Sequence, residues 1–279
     1  IKGAVGTSAT FHEMLESTPV TPQMLEATVM ETLKIEAHEI STQTYPRVQD
    51  FLLQSGLAGL AASLHKMAFD LRLLQAPGFR TLSEPFGSHQ VGSSAMPFKR
   101  NPVKAEKICS LSRQVASHLH TFWDNCAVSL LERTLDDSAN RRNSIPEAFL
   151  ALDEILLTLS GILRGLEVDK QAAADSMQVY GPFAALERVL NQLVREGADR
   201  QEMHERLRDH SMAAWEAVEQ DLPNPLAARL SADTTLLKFI QPARLRELLQ
   251  AENYVGLAPQ KARRMAEAIH KRFPPVEEE

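Results

Sequence analysis

Two groups of residues have the types and spacing to do chemistry. The first is "GSSAMPFKRNP", residues 92–102, where a glycine, two serines, two prolines and the adjacent cations Lys99 and Arg100 interrupt a chain that otherwise reads as long amphipathic helices. Met96 is apolar in an otherwise polar segment, and the cations stand just before a helix N-terminus, itself the positive end of a dipole. Positive charge stacked on positive charge is favourable when an anion lies between them. The chemistry this suits is proton abstraction beside a carboxylate, where a second negative charge develops on the carboxylate oxygens and preformed donors must be aimed at it. Lys99, Asn101 and the loop N–H groups are donors of that kind. A serine hydroxyl is a poor base at its ordinary pKa, but a nearby ammonium stabilises its alkoxide, more strongly where a closing loop excludes water.

The second group is Arg133, Ser138 and Arg142 in "LERTLDDSANRR". Guanidinium is a good bidentate phosphate ligand. The two arginines are nine residues apart and converge only through a bend, which Asp136, Asp137 and Ser138 favour. Pairing of Arg133 and Arg142 with Glu132, Asp136 or Asp137 is the alternative. Arg47 follows Pro46 at the mouth of a long helix and is placed either to contact substrate or to pair with Asp50.

These residues need a frame, and the apolar pattern supplies an all-α one. Leu53, Leu57, Leu60, Leu64, Met67, Leu71 and Leu74 step by 4, 3, 4, 3, 4, 3, a seam that keeps facing one partner helix, with Gly56 and Gly59 open to close approach. That helix stops at Pro77 and Gly78, and an irregular stretch follows from about 78 to 101. Asn101 and Pro102 read as N-cap and first residue of a second helix, carried by Ile108, Leu111, Val115, Leu119, Phe122, Cys126 and Leu130. Ile145, Phe149, Leu152, Leu156, Leu159 and Leu163 mark a third. Each carries more apolar surface than one short neighbour covers, so association with further copies is expected. "MQVYGPF" at 177–183 breaks the pattern, which places a long-helix domain at 1–176 and a smaller helical domain at 177–279.

Composition narrows the partners. Net charge of −6 and a pI near 5.9 argue against a general nucleic-acid or anionic-membrane surface. Cys109 and Cys126 are too few for a disulfide framework and match no zinc spacing. His204 and His210 are six apart, the wrong spacing for a helical zinc pair, and no metal or redox cofactor is expected. No apolar run reaches the roughly 18 residues a membrane span needs, and the expected location is cytoplasmic. The chain opens on Ile1 in "IKGAVGTSATF", and a missing N-terminal part is expected.

"GSSAMPFKRNP" resembles the signature of the fumarase/aspartase superfamily, and its "KRNP" ending is similar to that of adenylosuccinate lyases. "GAVGTSATF" at 3–11, "STQTYPRVQD" at 41–50 and "LERTLDDSANRRNSIPEAFL" at 131–150 resemble segments of the same family in the same order. The resemblance covers the first 165 or so residues well and the C-terminal helices loosely. It implies a long-helix bundle that tetramerises, and β-elimination of fumarate from adenylosuccinate and from succinyl-aminoimidazole-carboxamide ribotide. It further implies that Ser93 takes the Cβ proton, that Lys99 and Asn101 hold the carboxylate that becomes the aci-acid, and that Ser94 and Met96 lie against substrate. Glu106 would orient an active-site histidine, Gln43 would contact substrate, and Arg133, Ser138 and Arg142 would hold the nucleotide, chiefly its phosphate. The family's general-acid histidines lie in segments that this chain does not contain, and its sites are assembled from several subunits of a homotetramer. The alternatives are another lyase of the superfamily, such as the fumarate-releasing argininosuccinate lyase or a cycloisomerase, or a catalytically silent structural piece.

Overall fold

A computed structural model describes residues 1–87, 96 and 98–274. The chain divides into two compact units, Ile1–Val168 and Asp169–Glu279. The first holds α1 (Ala9–Leu15), α2 (Pro22–Leu33), α3 (Val48–Gln75), α4 (Val103–Ala127) and α5 (Asp136–Arg164), with strands β1 (Leu82–Ser83) and β2 (Glu167–Val168). The protein is helical, and β1 and β2 form one antiparallel pair, Leu82 opposite Val168 and Ser83 opposite Glu167.

Cross-links between the long helices give their directions. Gln54 Nε2 donates to the Val115 carbonyl at 2.7 Å, while Arg72 faces Glu106 at 3.9 Å, so numbers rise along α3 as they fall along α4. Lys107 pairs with Glu154, and the Asn125 and Asn140 amides donate to each other at 2.8 and 3.0 Å, which makes α4 and α5 antiparallel too. Arg47 meets Asp137 and Asp50 meets Arg141, so α3 and α5 start together and run parallel. One end of the bundle therefore gathers the starts of α3 and α5 and the end of α4. The other end gathers the start of α4 and the ends of α3 and α5.

The leucine seam of α3 is divided between two surroundings. Leu57, Leu64 and Leu71 face the bundle core beside Ala61 and Ala68, whereas Leu53, Leu60 and Met67 are 44, 43 and 43% exposed. Small residues decide this: Ala61 and Ala68 let α4 come close, and the face that carries them is the one buried against Ala105, Ile108, Cys109 and Val115. Gly56 and Gly59 face open space rather than a neighbouring helix. In α5, Leu152 and Leu159 of the expected stripe are buried with Ala148, Ile155 and Ile162, while Phe149, Leu156 and Leu163 are exposed. This helix begins at Asp136, well before the expected stripe, and contains Pro146. That proline removes the N–H that a helix directs at the carbonyl four residues earlier, that of Arg142. Leu130 lies beyond the end of α4.

The second unit holds α6 (Lys170–Ala184), α7 (Leu186–Arg195), α8 (Arg200–Glu219), α9 (Leu226–Ala232), α10 (Pro242–Leu248) and α11 (Ala258–Arg272). The Asp169 side chain caps α6 by accepting from the Ala172 N–H at 2.9 Å. This helix runs through Met177–Phe183 with Pro182 inside it, and the division between the two compact units falls before it, at Val168 and Asp169. Val189, Leu193, Met203, Leu207, Leu226, Leu230, Leu236 and Leu245 form the unit's core.

Asp233 fastens that core at its edge. It accepts from His210 Nε2 at 2.8 Å, from the Thr235 and Leu236 N–H groups, and from Arg206 at 3.3 Å. Burial alone would raise its pKa, but the His210 hydrogen bond, the two backbone donors and the Arg206 charge outweigh it and hold the carboxyl at about 2, below its ordinary 3.8. A lowered pKa stabilises the fold fully above the ordinary value and ceases to do so as pH falls through about 2. Asp233→Asn is expected to cost about 2 kcal/mol near neutral pH and nearly nothing at the acid end. Urea unfolding of both proteins across pH 2 to 7 checks this, and an equal loss at every pH would refute it.

Candidate active site

The nucleotide-type residues collect where α3 and α5 begin. Gly6 has φ +79°, and a Cβ there would lie 2.0 Å from the Ser41 carbonyl oxygen, so only glycine lets the "GAVGTSATF" strand of chain run against Ser41 and Thr42, next to Gln43. Gln43 Oε1 accepts from Arg133 Nη1 at 3.4 Å, which joins two of the sequence candidates. Both are exposed, as is Arg142, and Ser138 is half-buried in the first turn of α5. Arg133 is preceded by a strongly exposed apolar run, Val128, Leu130 and Leu131, the last with φ +32°.

Four charged residues that compete for the same partners are divided cleanly. Arg47 Nε lies 2.5 Å from Asp137 Oδ2, and Arg141 Nε lies 2.7 Å from Asp50 Oδ2. The Tyr45 hydroxyl donates to Asp50 Oδ1 at 2.7 Å and accepts from Arg141 Nη2. Burial and the Asp50 carboxylate together raise the Tyr45 pKa, so its hydroxyl stays protonated. Asp136 accepts from the Thr134 hydroxyl at 2.7 Å. With Asp137 and Asp50 so occupied, Arg133 and Arg142 form no ion pair among the described residues. Arg47 has a side chain 9% exposed and pairs with Asp137 rather than with Asp50, the partner proximity along the chain suggests. Arg141 and Tyr45 were not singled out in the sequence, and Asp137 only as a turn residue and a possible partner of Arg133 or Arg142; the signal lay in the doubled arginine of "ANRRN", where adjacent positions on a helix must face differently.

The described residues of the signature segment, Met96 and Phe98 to Pro102, stand at the other end of the bundle, before α4. Ser93 and Ser94 lie outside the described residues. Met96 is 42% exposed, and its carbonyl accepts from the Lys99 N–H at 2.9 Å in a turn. Lys99 is exposed, and its ammonium has no acidic partner among the described residues. Asn101 is half-buried and precedes α4, which starts at Val103, one residue later than expected. Glu106 is in the first turn, exposed, with Arg72 at 3.9 Å.

An anion does sit at this helix N-terminus, but it belongs to the protein. Glu84, 1% exposed, accepts from the Lys104 and Ala105 N–H groups at 3.1 and 3.0 Å. Gln75 ties the two sides together, accepting from the Glu84 N–H at 3.0 Å and donating to the Arg100 carbonyl at 3.3 Å. A Cβ on Gly165 would come within 2.8 Å of Pro85, so β1 and its exit pack directly on the end of α5. The base on which Lys99 and Asn101 stand is thus set by Gln75 and Glu84, neither of which the motif itself reveals.

Among the described residues, one chain does not bring the two clusters together. They are separated by the length of α4, whose 25 residues span about 37 Å. Among the described residues no group of His, Cys, Asp and Glu side chains could hold a metal ion, and no helix is long and apolar enough to cross a membrane.

The fold and the matched sequence place the chain in the fumarase/aspartase superfamily. Residues 2–117 match the family described as "Lyase" and residues 182–265 that described as "Adenylosuccinate lyase C-terminus". The chain is 37% identical over 271 residues to adenylosuccinate lyase of Saccharomyces cerevisiae, covering 96% of this chain and 55% of that protein. It is 40% identical over 235 residues to the adenylosuccinate lyase of Schistosoma mansoni, covering 83% and 48%. The crystal structure of 3-carboxy-cis,cis-muconate lactonizing enzyme from Pseudomonas putida superposes with a TM-score of 0.79 over 99% of this chain and 58% of that one, at 24% identity, which bears on the fold. The chain belongs to the adenylosuccinate lyases, and it spans about half the length of the relatives it matches.

Proposed function

We propose that the protein is a carbon–nitrogen lyase that cleaves adenylosuccinate to fumarate and AMP, and succinyl-aminoimidazole-carboxamide ribotide likewise, in cytoplasmic purine biosynthesis. The observation that carries this reading is the exposed guanidinium of Arg142, with no ion pair among the described residues, one turn from Ser138 at the bundle end where Arg133 meets Gln43. Such a set offers charge-assisted donors to a phosphate. In the reaction, Ser93 takes the Cβ proton, the electron pair moves to form the double bond of fumarate, and the C–N bond breaks with its pair leaving on nitrogen. Lys99 and Asn101 stabilise the aci-carboxylate formed on the way. Protonation of the departing nitrogen needs a general acid, which comes from family segments outside these residues.

The separation of about 37 Å between the clusters supports a site built from more than one copy. We take that assembly to be a homotetramer, with Leu53, Leu60 and Met67 on α3 and Phe149, Leu156 and Leu163 on α5 forming apolar faces for it. The test is intact mass of the purified protein beside fumarate release from adenylosuccinate and from argininosuccinate. Release from adenylosuccinate alone, by a protein heavier than 31.0 kDa, is the expected result. Release from argininosuccinate instead would overturn the substrate. Activity at 31.0 kDa would overturn the assignment of the acid to segments outside this chain.

A further inference from the structure

Among the described residues, the buried charges between α3 and α5 bond one another and Tyr45, and form no ion pair with Arg133 or Arg142. Arg47 and Asp137 pair with side chains 9 and 3% exposed, and Arg141 and Asp50 with side chains 18 and 6% exposed. Two guanidiniums balance two carboxylates, and both guanidiniums lie over the Tyr45 ring, 4.8 and 5.5 Å from its centroid. The Asp137 Oδ1 atom is buried with no hydrogen-bond partner. A buried pair with an unsatisfied oxygen is a poor source of net stability, because desolvation offsets the attraction. Directional constraint is what it does provide. Arg141 uses Nε for Asp50 and Nη2 for Tyr45, a fork that a lysine cannot reproduce. Fixing Arg141 fixes the rotation of α5 about its axis, and Arg142 then projects roughly 100° further round.

We propose that Tyr45, Asp50 and Arg141, with the Arg47–Asp137 pair, are positioning residues that preset Ser138 and Arg142 for the nucleotide phosphate. The proposal rests on the nucleotide reading above. A phosphate then meets donors already held in place, and the ordering cost falls on folding rather than on binding. The cluster also takes up the two carboxylates that would otherwise quench Arg142.

Isothermal titration of the purified protein with AMP, and separately with adenosine, tests this. Asp50→Asn and Arg141→Lys are each expected to weaken AMP binding about tenfold, the scale of coupling inside one hydrogen-bonded network. Adenosine, lacking the phosphate, should change less than about twofold. Arg142→Ala should cost less in the Asp50→Asn background than in the parent, since the arginine is already misplaced there. Unchanged AMP affinity with a lowered melting temperature would make the cluster merely structural and end the proposal. Tyr45→Phe, which deletes one hydroxyl, serves if Asp50→Asn does not fold; about threefold weaker AMP binding is expected, and no change counts against the proposal. A parent that binds neither AMP nor adenosine overturns the nucleotide reading, whereas a parent that binds AMP beside indifferent variants overturns the positioning role alone.

Discussion

Replacing Ser93 by alanine is expected to lower kcat for fumarate release by about 10²- to 10⁴-fold, the usual contribution of a positioned general base, while AMP affinity stays near that of the parent. The hydroxyl oxygen is the only heavy atom lost, and in the proposed role it acts on the succinyl Cβ proton rather than on the phosphate. The Lys99 ammonium, which no acidic side chain among the described residues neutralises, is available to stabilise the alkoxide and then the aci-carboxylate. Ser94→Ala is the control, since it leaves the proposed base in place and is expected to act mainly on KM. Steady-state kinetics with adenosine analogues removed from the assay separates the two. Near-normal turnover by Ser93→Ala would take it out of the base role.

Arg142→Ala is expected to raise KM for adenylosuccinate by about 100-fold with a smaller change in kcat, because hydrogen bonds to charged groups contribute about 1.5–3 kcal/mol each and a guanidinium offers two. The side chain is exposed and forms no ion pair among the described residues, so its removal leaves no buried charge stranded. Stability should move by less than about 0.5 kcal/mol. The same geometry predicts complementation. Lys99, in the same signature segment as Ser93, precedes α4 while Arg142 lies near the start of α5, at opposite ends of a helix about 37 Å long. A site that needs both must draw them from different chains. Mixing Ser93→Ala and Arg142→Ala proteins under conditions that exchange subunits should therefore regain turnover that neither has alone. No recovery after verified exchange would mean that one chain supplies both residues to one site, against the proposed assembly.

The leucines of α3 show how far periodicity reaches. Their spacing identifies a long helix and a continuous apolar seam, and α3 is such a helix. It does not say that Leu57 and Leu64 turn inward while Leu53 and Leu60 stay exposed, since that depends on which face carries the small residues Ala61 and Ala68 against α4. Arg47 makes the same point for charge. Proximity along the chain suggests Asp50 as its partner, but a three-residue step at a helix start competes with carboxylates brought in from α5, and Asp137 takes it. Glu84 lay unnoticed because nothing in "LSEPFGSH" distinguishes a carboxylate that will cap α4 from one that will be solvated.

The order and chemistry of the residues by themselves determined the all-α class, the long helices and the segments that carry the family likeness, because helix periodicity and short motifs are local properties of the chain. Where the two clusters lie, which arginines remain unpaired and which carboxylate holds the α4 N-terminus were decided by the tertiary structure alone. Those outcomes depend on the direction in which α3, α4 and α5 pack and on which of several equally charged partners is nearest once they do. A one-dimensional pattern cannot rank contacts between residues some ninety positions apart, such as Arg47 with Asp137 or Asp50 with Arg141, and it is those contacts that tie the start of α3 to the start of α5.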